Sequence, residues 1–84
     1  MKSKEIYLIL NKKLKLKKIY VDGNNGNFNI IAIDDIFEKL SYVKQQKIIY
    51  EPLSEYIFKK IIHSLIIKTY SLKEWKNKIN KYNK

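Results

Sequence analysis

Residues 22–27, Asp-Gly-Asn-Asn-Gly-Asn, are six turn-forming residues in a row. A regular element does not run through such a stretch, so the chain has to reverse there. Upstream, residues 17–22 (Lys-Lys-Ile-Tyr-Val-Asp) alternate Ile19 and Val21 with polar neighbours, the period of a half-buried strand. Downstream, residues 28–34 (Phe-Asn-Ile-Ile-Ala-Ile-Asp) form a second apolar run. Two strands flanking one turn predict a β-hairpin. Elsewhere punctuation is sparse, with two glycines and one proline in the whole chain.

Helices are expected on both sides of the hairpin. Over 3–14, Ile6, Ile9, Leu10 and Leu14 share one face of a 3.6-residue repeat, and Ser3 is placed to cap it. Asp35 stands three residues before Glu38, the spacing of a capping box, over a short helix at 36–40. Ser41 can cap a longer helix from Tyr42 towards Lys59, with Ile49, Tyr50, Leu53, Tyr56 and Ile57 on its inner face. Pro52 should kink or split that helix near Glu51. Residues 61–68 (Ile-Ile-His-Ser-Leu-Ile-Ile-Lys) read as a third strand, covered on one face and partly on the other. Ser71 and Glu74 make a full capping box for a last helix over 72–81, anchored by Trp75 and Ile79, with Glu74 and Lys78 spaced as an i, i+4 pair. The order is α-β-β-α-α-β-α. A hairpin and a helical crossover give a three-stranded mixed sheet whose third strand runs parallel to the second. With the helices on one face, this is a two-layer α+β fold.

Eighty-four residues allow one domain, over 1–84, with one small core. A hydrophobic fraction of 45% is that of a globular chain rather than a disordered one. Cysteine is absent, which excludes a disulfide scaffold, a thiolate metal site and a cysteine nucleophile, and fits the reducing cytoplasm. No apolar run is long enough to cross a membrane, and lysines at 2 and 4 are followed by no signal-peptide core. The net charge is +10, with all eighteen basic residues being lysine. Lys, Ile and Asn together make up almost half the chain, and all three have A/T-rich codons. The charge is therefore weaker support for a polyanion partner than its size suggests, the more so because phosphate grips favour the planar fork of arginine.

Catalytic and metal chemistry have little to work with. There is one histidine, His63, no Gly-x-Ser-x-Gly elbow and no phosphate-cradling loop, so no enzyme is expected. One imidazole without a thiol does not build a zinc site. His63 is either one ligand of a site completed by another molecule or a half-buried strand residue bonded to backbone. The element order is that of a KH-type domain, but the junction Lys39-Leu40-Ser41-Tyr42 lacks the Gly-x-x-Gly clamp. Tyr42, Lys44 and Lys47 could touch phosphates of DNA or RNA, and Tyr20 or Tyr70 could stack on a base; the alternative is a solvated lysine face. A small protein–protein adaptor is the third class.

Several stretches together resemble the BolA family, in its short bacterial branch of the IbaG or YrbA type. They are Gly23 to Phe28, Ile31-Ala32-Ile33, Phe37, Ser41 to Gln46, Ile49 to Ile57, and above all Ile62-His63-Ser64-Leu65-Ile66-Ile67-Lys68 with Tyr70, Glu74 and Trp75. The resemblance implies a KH-like fold without the clamp and a non-enzymatic partner of monothiol glutaredoxins. It further implies a [2Fe–2S] cluster held jointly and not by this chain alone. In such a complex the glutaredoxin supplies a cysteine, glutathione a second thiolate, and the residue matching His63 an imidazole, which raises the cluster potential. The implied roles are iron homeostasis, cluster trafficking, stress response and, for some members, transcriptional regulation; a homodimer is a further option. A second ligand, His or Cys, usually comes from the loop between the first two strands. Here the matching position is Asn27, a poor iron ligand. On this reading the Asp22–Asn27 loop, the strand from Ile61 and the final helix carry the docking surface.

Overall fold

The computed structural model describes residues 1–82. Helix α1 spans Ser3–Leu14, strand β1 Lys18–Asn24 and strand β2 Asn27–Ile33. A 3-10 turn over Asp35–Lys39 leads to α2, Tyr42–Tyr50; a second 3-10 turn, Glu51–Leu53, leads to α3, Ser54–Phe58. Strand β3 is Ser64–Tyr70 and helix α4 is Leu72–Tyr82. The sheet order is β1-β2-β3, with β1 antiparallel and β3 parallel to the central β2. The element order and the mixed sheet are those expected.

Local chemistry sets the boundaries, in places differently from expectation. Lys2, not Ser3, is the N-cap of α1, and its backbone N–H donates to Glu5 Oε1 at 2.8 Å. Asp34, not Asp35, caps the first 3-10 turn by accepting from the Ile36 N–H at 2.9 Å. Asp35 is taken by other partners instead, the Lys17 ammonium at 3.2 Å and the Leu72 N–H at 3.3 Å. Ser41 caps α2 through the Lys44 N–H, and Ser71 and Glu74 form the reciprocal box expected of them. Pro52 sits in the 3-10 turn that splits the crossover helix.

Strand β3 starts three residues later than its β-branched sequence suggests. Lys60 adopts φ 61°, and the Ile61 and Ile62 N–H groups both donate to Tyr56 O, while Lys60 N–H donates to Ile57 O. These are the bonds of a Schellman motif. It holds Ile61 and Ile62 against the end of α3, so the strand propensity of the pair is overridden.

The main core lies between α1, the crossover and one sheet face. Ile6 and Leu10 of α1, Phe28, Ile30 and Ala32 of β2, Phe37, Ile49, Leu53 and Ile62 are all buried. Tyr50, expected on the inner face of its helix, is exposed instead. Alternation puts Tyr20 and Tyr70 on the opposite sheet face. There Trp75 stacks on Tyr20 (centroids 5.8 Å apart) and tilts against Tyr70 (5.4 Å). Ile33, fully buried but apart from the main cluster, lies on the same face. Helix α4 thus covers the far face of the sheet at the Tyr70 end, where all helices had been expected on one side.

Candidate functional site

The hairpin closes through a two-residue loop, Asn25-Gly26, tighter than the six turn formers around it. Both loop residues have positive φ, 52° and 81°, as a type I′ turn requires. The Gly26 carbonyl then points across to β3, where it accepts from the backbone N–H of His63 at 2.6 Å and of Ser64 at 3.1 Å. This single oxygen joins the turn to His63 and to Ser64 at the start of β3, 37 and 38 residues later in the chain.

The imidazole of His63 lies directly over Gly26. A Cβ placed on Gly26 would collide with His63 Cδ2 and come within 3.0 Å of Cγ and Nε2. The histidine is exposed, whereas Gly26 beneath it is buried. Its neighbour Ile62 is driven into the core at 2% exposure. The ring is therefore supported on one side and open to solvent on the other, which removes the half-buried reading of this residue.

Asn27 stands close by, as the register partner of Ser64. Its side chain is occupied within the fold. Oδ1 accepts from Ser64 Oγ at 2.7 Å, and Nδ2 donates to Asn25 O at 3.3 Å. Among the described residues no three His, Cys, Asp or Glu side chains gather as a metal site. The donor set thus fits one coordination position of a shared centre, filled by imidazole nitrogen. It does not fit a cluster held by this chain alone.

The residues expected to meet nucleic acid fall in two separate places, α2 and the far face of the sheet. Tyr42 is 71% exposed at the start of α2, and Lys44 and Lys47 are exposed on the same helix. Lys47 pairs with Glu51 at 3.7 Å. Tyr20 and Tyr70, the candidate base platforms, are instead committed to Trp75. Strand β3 separates His63 from α4 by its full length of roughly 20 Å, so the final helix begins at the other end of the sheet from the imidazole. What sequence reasoning missed is an apolar groove of about 440 Å³ between α2 and β3, with His63 at one end. The exposed Val43 on α2 was its one local signal.

Known proteins resemble the chain over most of its length. The family model described as "BolA-like protein" matches residues 6–74. A protein of Buchnera aphidicola (subspecies Baizongia pistaciae) is 50% identical over 70 residues, covering 83% of this chain and 89% of the relative. The acid stress protein IbaG of Escherichia coli K12 is 39% identical over 75 residues, 89% of each chain. Among solved structures, a BolA homologue from Coxiella burnetii superposes with a TM-score of 0.76 at 19% identity, covering 90% of this chain and 97% of its own. No helix among the described residues is long and apolar enough to cross a membrane. With a family model spanning four-fifths of its length and relatives of this identity, the chain belongs to the BolA family.

Proposed function

We propose that this protein is a non-enzymatic adaptor of the cytoplasm that pairs with a monothiol glutaredoxin and contributes His63 to a shared [2Fe–2S] cluster. One observation carries the reading: the only imidazole of the chain is exposed and braced on Gly26. A ring held this way has lost much of its rotational freedom before any partner arrives, which lowers the entropy of ligation. The backbone bonds to Gly26 O fix the peptide that carries it. When bound, a cluster supplies transferable iron and sulfide and a redox centre. The chain itself orients one nitrogen, and Asn27, engaged with Ser64 and Asn25, shapes the rim. Family membership and the stress name of the E. coli relative support a role in iron homeostasis, cluster trafficking or stress response.

The test mixes the protein with reduced monothiol glutaredoxin, iron, sulfide and glutathione and follows the visible circular dichroism. The reading expects a spectrum that differs from the glutaredoxin's own and changes again with His63→Ala. An unchanged spectrum together with no heterodimer by gel filtration refutes it.

A second reading, nucleic-acid binding, is favoured by the +10 charge and the exposed Tyr42 with Lys44. It requires an affinity that falls steeply with salt, with a log–log slope of about −0.9 per phosphate neutralised.

A further inference from the structure

Strand β3 forms one edge of the sheet. Its Ser64 N–H donates to Gly26 O, and its Tyr70 O accepts from the Asp34 N–H at 3.0 Å. The even-numbered residues of β3 therefore aim their backbone groups at β2 and its flanks. By alternation, Leu65, Ile67 and Thr69 aim theirs away from the sheet. Gln46 marks that direction independently, because its Nε2 reaches in from α2 and donates to Ile67 O at 3.0 Å. Beside this edge lies the apolar groove, walled by Val43 and Tyr50 of α2, Ile57, Ile62, and Leu65 and Ile67 of β3. Val43 is 72% exposed.

An open strand edge with an apolar trench between it and a helix is the geometry that takes an extended peptide. The main chain adds to the edge, and every second side chain enters the trench. We propose that the β3 edge and its groove bind an extended segment of a partner protein that is apolar at alternate positions and flanked by acidic residues. The acidic flanks follow from charge complementarity, since the chain carries +10, and the helix that walls the groove presents the exposed Lys44 together with Lys47, which shares its charge with Glu51 at 3.7 Å. The same charge opposes a second copy, which would bring two strongly positive surfaces together. Nucleic acid would meet mostly aliphatic walls here, and an edge whose donors and acceptors alternate with the repeat of another strand. Gln46 occupies the place of the incoming donor: the segment's N–H takes over Ile67 O and the amide swings aside. This site goes beyond the adaptor reading and stands whether or not His63 meets iron.

The test uses the full chain and a fluorescein-labelled nonapeptide, Asp-Glu-Val-Thr-Ile-Thr-Val-Asp-Glu, with a scrambled peptide of the same composition as control. Amide hydrogen exchange is followed by NMR. In the free protein the Leu65, Ile67 and Thr69 amides exchange faster than those of Ile66 and Lys68. With peptide the first three slow about tenfold or more, as newly bonded edge amides do. Val43→Glu, at an exposed position that leaves the core intact, weakens binding about tenfold by placing like charge against the acidic flank. The proposal is overturned by no binding up to about 1 mM, by equal binding of the scrambled peptide, or by shifts confined to other faces. It is equally overturned if a single-stranded oligonucleotide, and not the peptide, protects these three amides. Concentration-dependent protection without peptide would assign the edge to a second copy and likewise end it.

Discussion

The imidazole of His63 rests against the α-carbon of Gly26, so closely that one added methyl group would collide with the ring. The turn glycine and the histidine are thus one structural unit, although 37 positions separate them. Gly26→Ala should therefore fail twice. At φ 81° a Cβ costs roughly 1–2 kcal/mol of backbone strain, and the same Cβ displaces the ring. Urea unfolding measures the total. Adding His63→Ala removes only the collision, so the double variant should recover part of the loss, and a purely additive cycle contradicts the contact.

Asn27 faces Ser64, the neighbour of His63, in register, and its Oδ1 already accepts from the Ser64 hydroxyl. On the adaptor reading, Asn27→His adds a second imidazole at the rim. The visible circular dichroism of the mixed complex should then decay more slowly under chelator than with the native chain. Asn27→Ala should leave the decay close to native.

Lys60 holds a left-handed conformation at the C′ position of a Schellman motif, where glycine is the usual occupant. Lys60→Gly should stabilise the fold by about 1 kcal/mol, less the extra entropy of the unfolded glycine. For a domain of this size that corresponds to a rise of up to roughly 4–8 °C in Tm. A fall in Tm would mean that the lysine side chain contributes something that the backbone geometry does not reveal.

Asp35 is held below its ordinary value of 3.8, first by the Lys17 ammonium and then by the Leu72 N–H. A carboxylate depressed by folding adds stability above its unfolded pKa, and that stability is lost as pH falls through the folded value. Asp35→Asn should therefore lower stability at neutral pH, with the gap to the native protein closing below pH 3.8. Because the pair is half exposed (52% and 55%), salt should shrink the neutral-pH gap as well. Urea melts across pH and salt check both trends.

Trp75 packs between Tyr20 and Tyr70, yet its buried Nε1–H has no acceptor among the described residues. Trp75→Phe loses ring area but also removes an unsatisfied donor that costs about 1–3 kcal/mol. The two effects should nearly cancel, leaving Tm close to native. Trp75 is partly buried, so Trp75→Ala, which loses the ring burial and the stack outright, should cost about 2 kcal/mol. Thermal melts of the two variants separate the terms.

Local chemistry was legible wherever a short-range signal had no competitor. The turn at 22–27, the caps at Ser41 and Ser71, the split at Pro52 and the inward face of α1 all depend on residues within about four positions of one another. Where two acids competed, spacing chose wrongly: Asp34 keeps the extended backbone of a cap and accepts from Ile36, while Asp35, already inside the turn, meets Lys17 and Leu72, both distant in the chain. Ile61 and Ile62 carried a strand signal that hydrogen bonds to Tyr56 cancelled.

By its residues alone this chain determined that it would fold as a hairpin, a broken helical crossover and a parallel third strand, and that it would carry a single imidazole. Periodicity and turn chemistry act over a few residues, and a residue count needs no fold. Only the tertiary structure decided that the imidazole would stand exposed on Gly26, that Trp75 would take both candidate tyrosine platforms, and that α2 would leave a groove along the edge of β3. Each of these is a meeting of residues from separate elements. Packing brings them together only once the parallel crossover has set the register of Asn27 against Ser64.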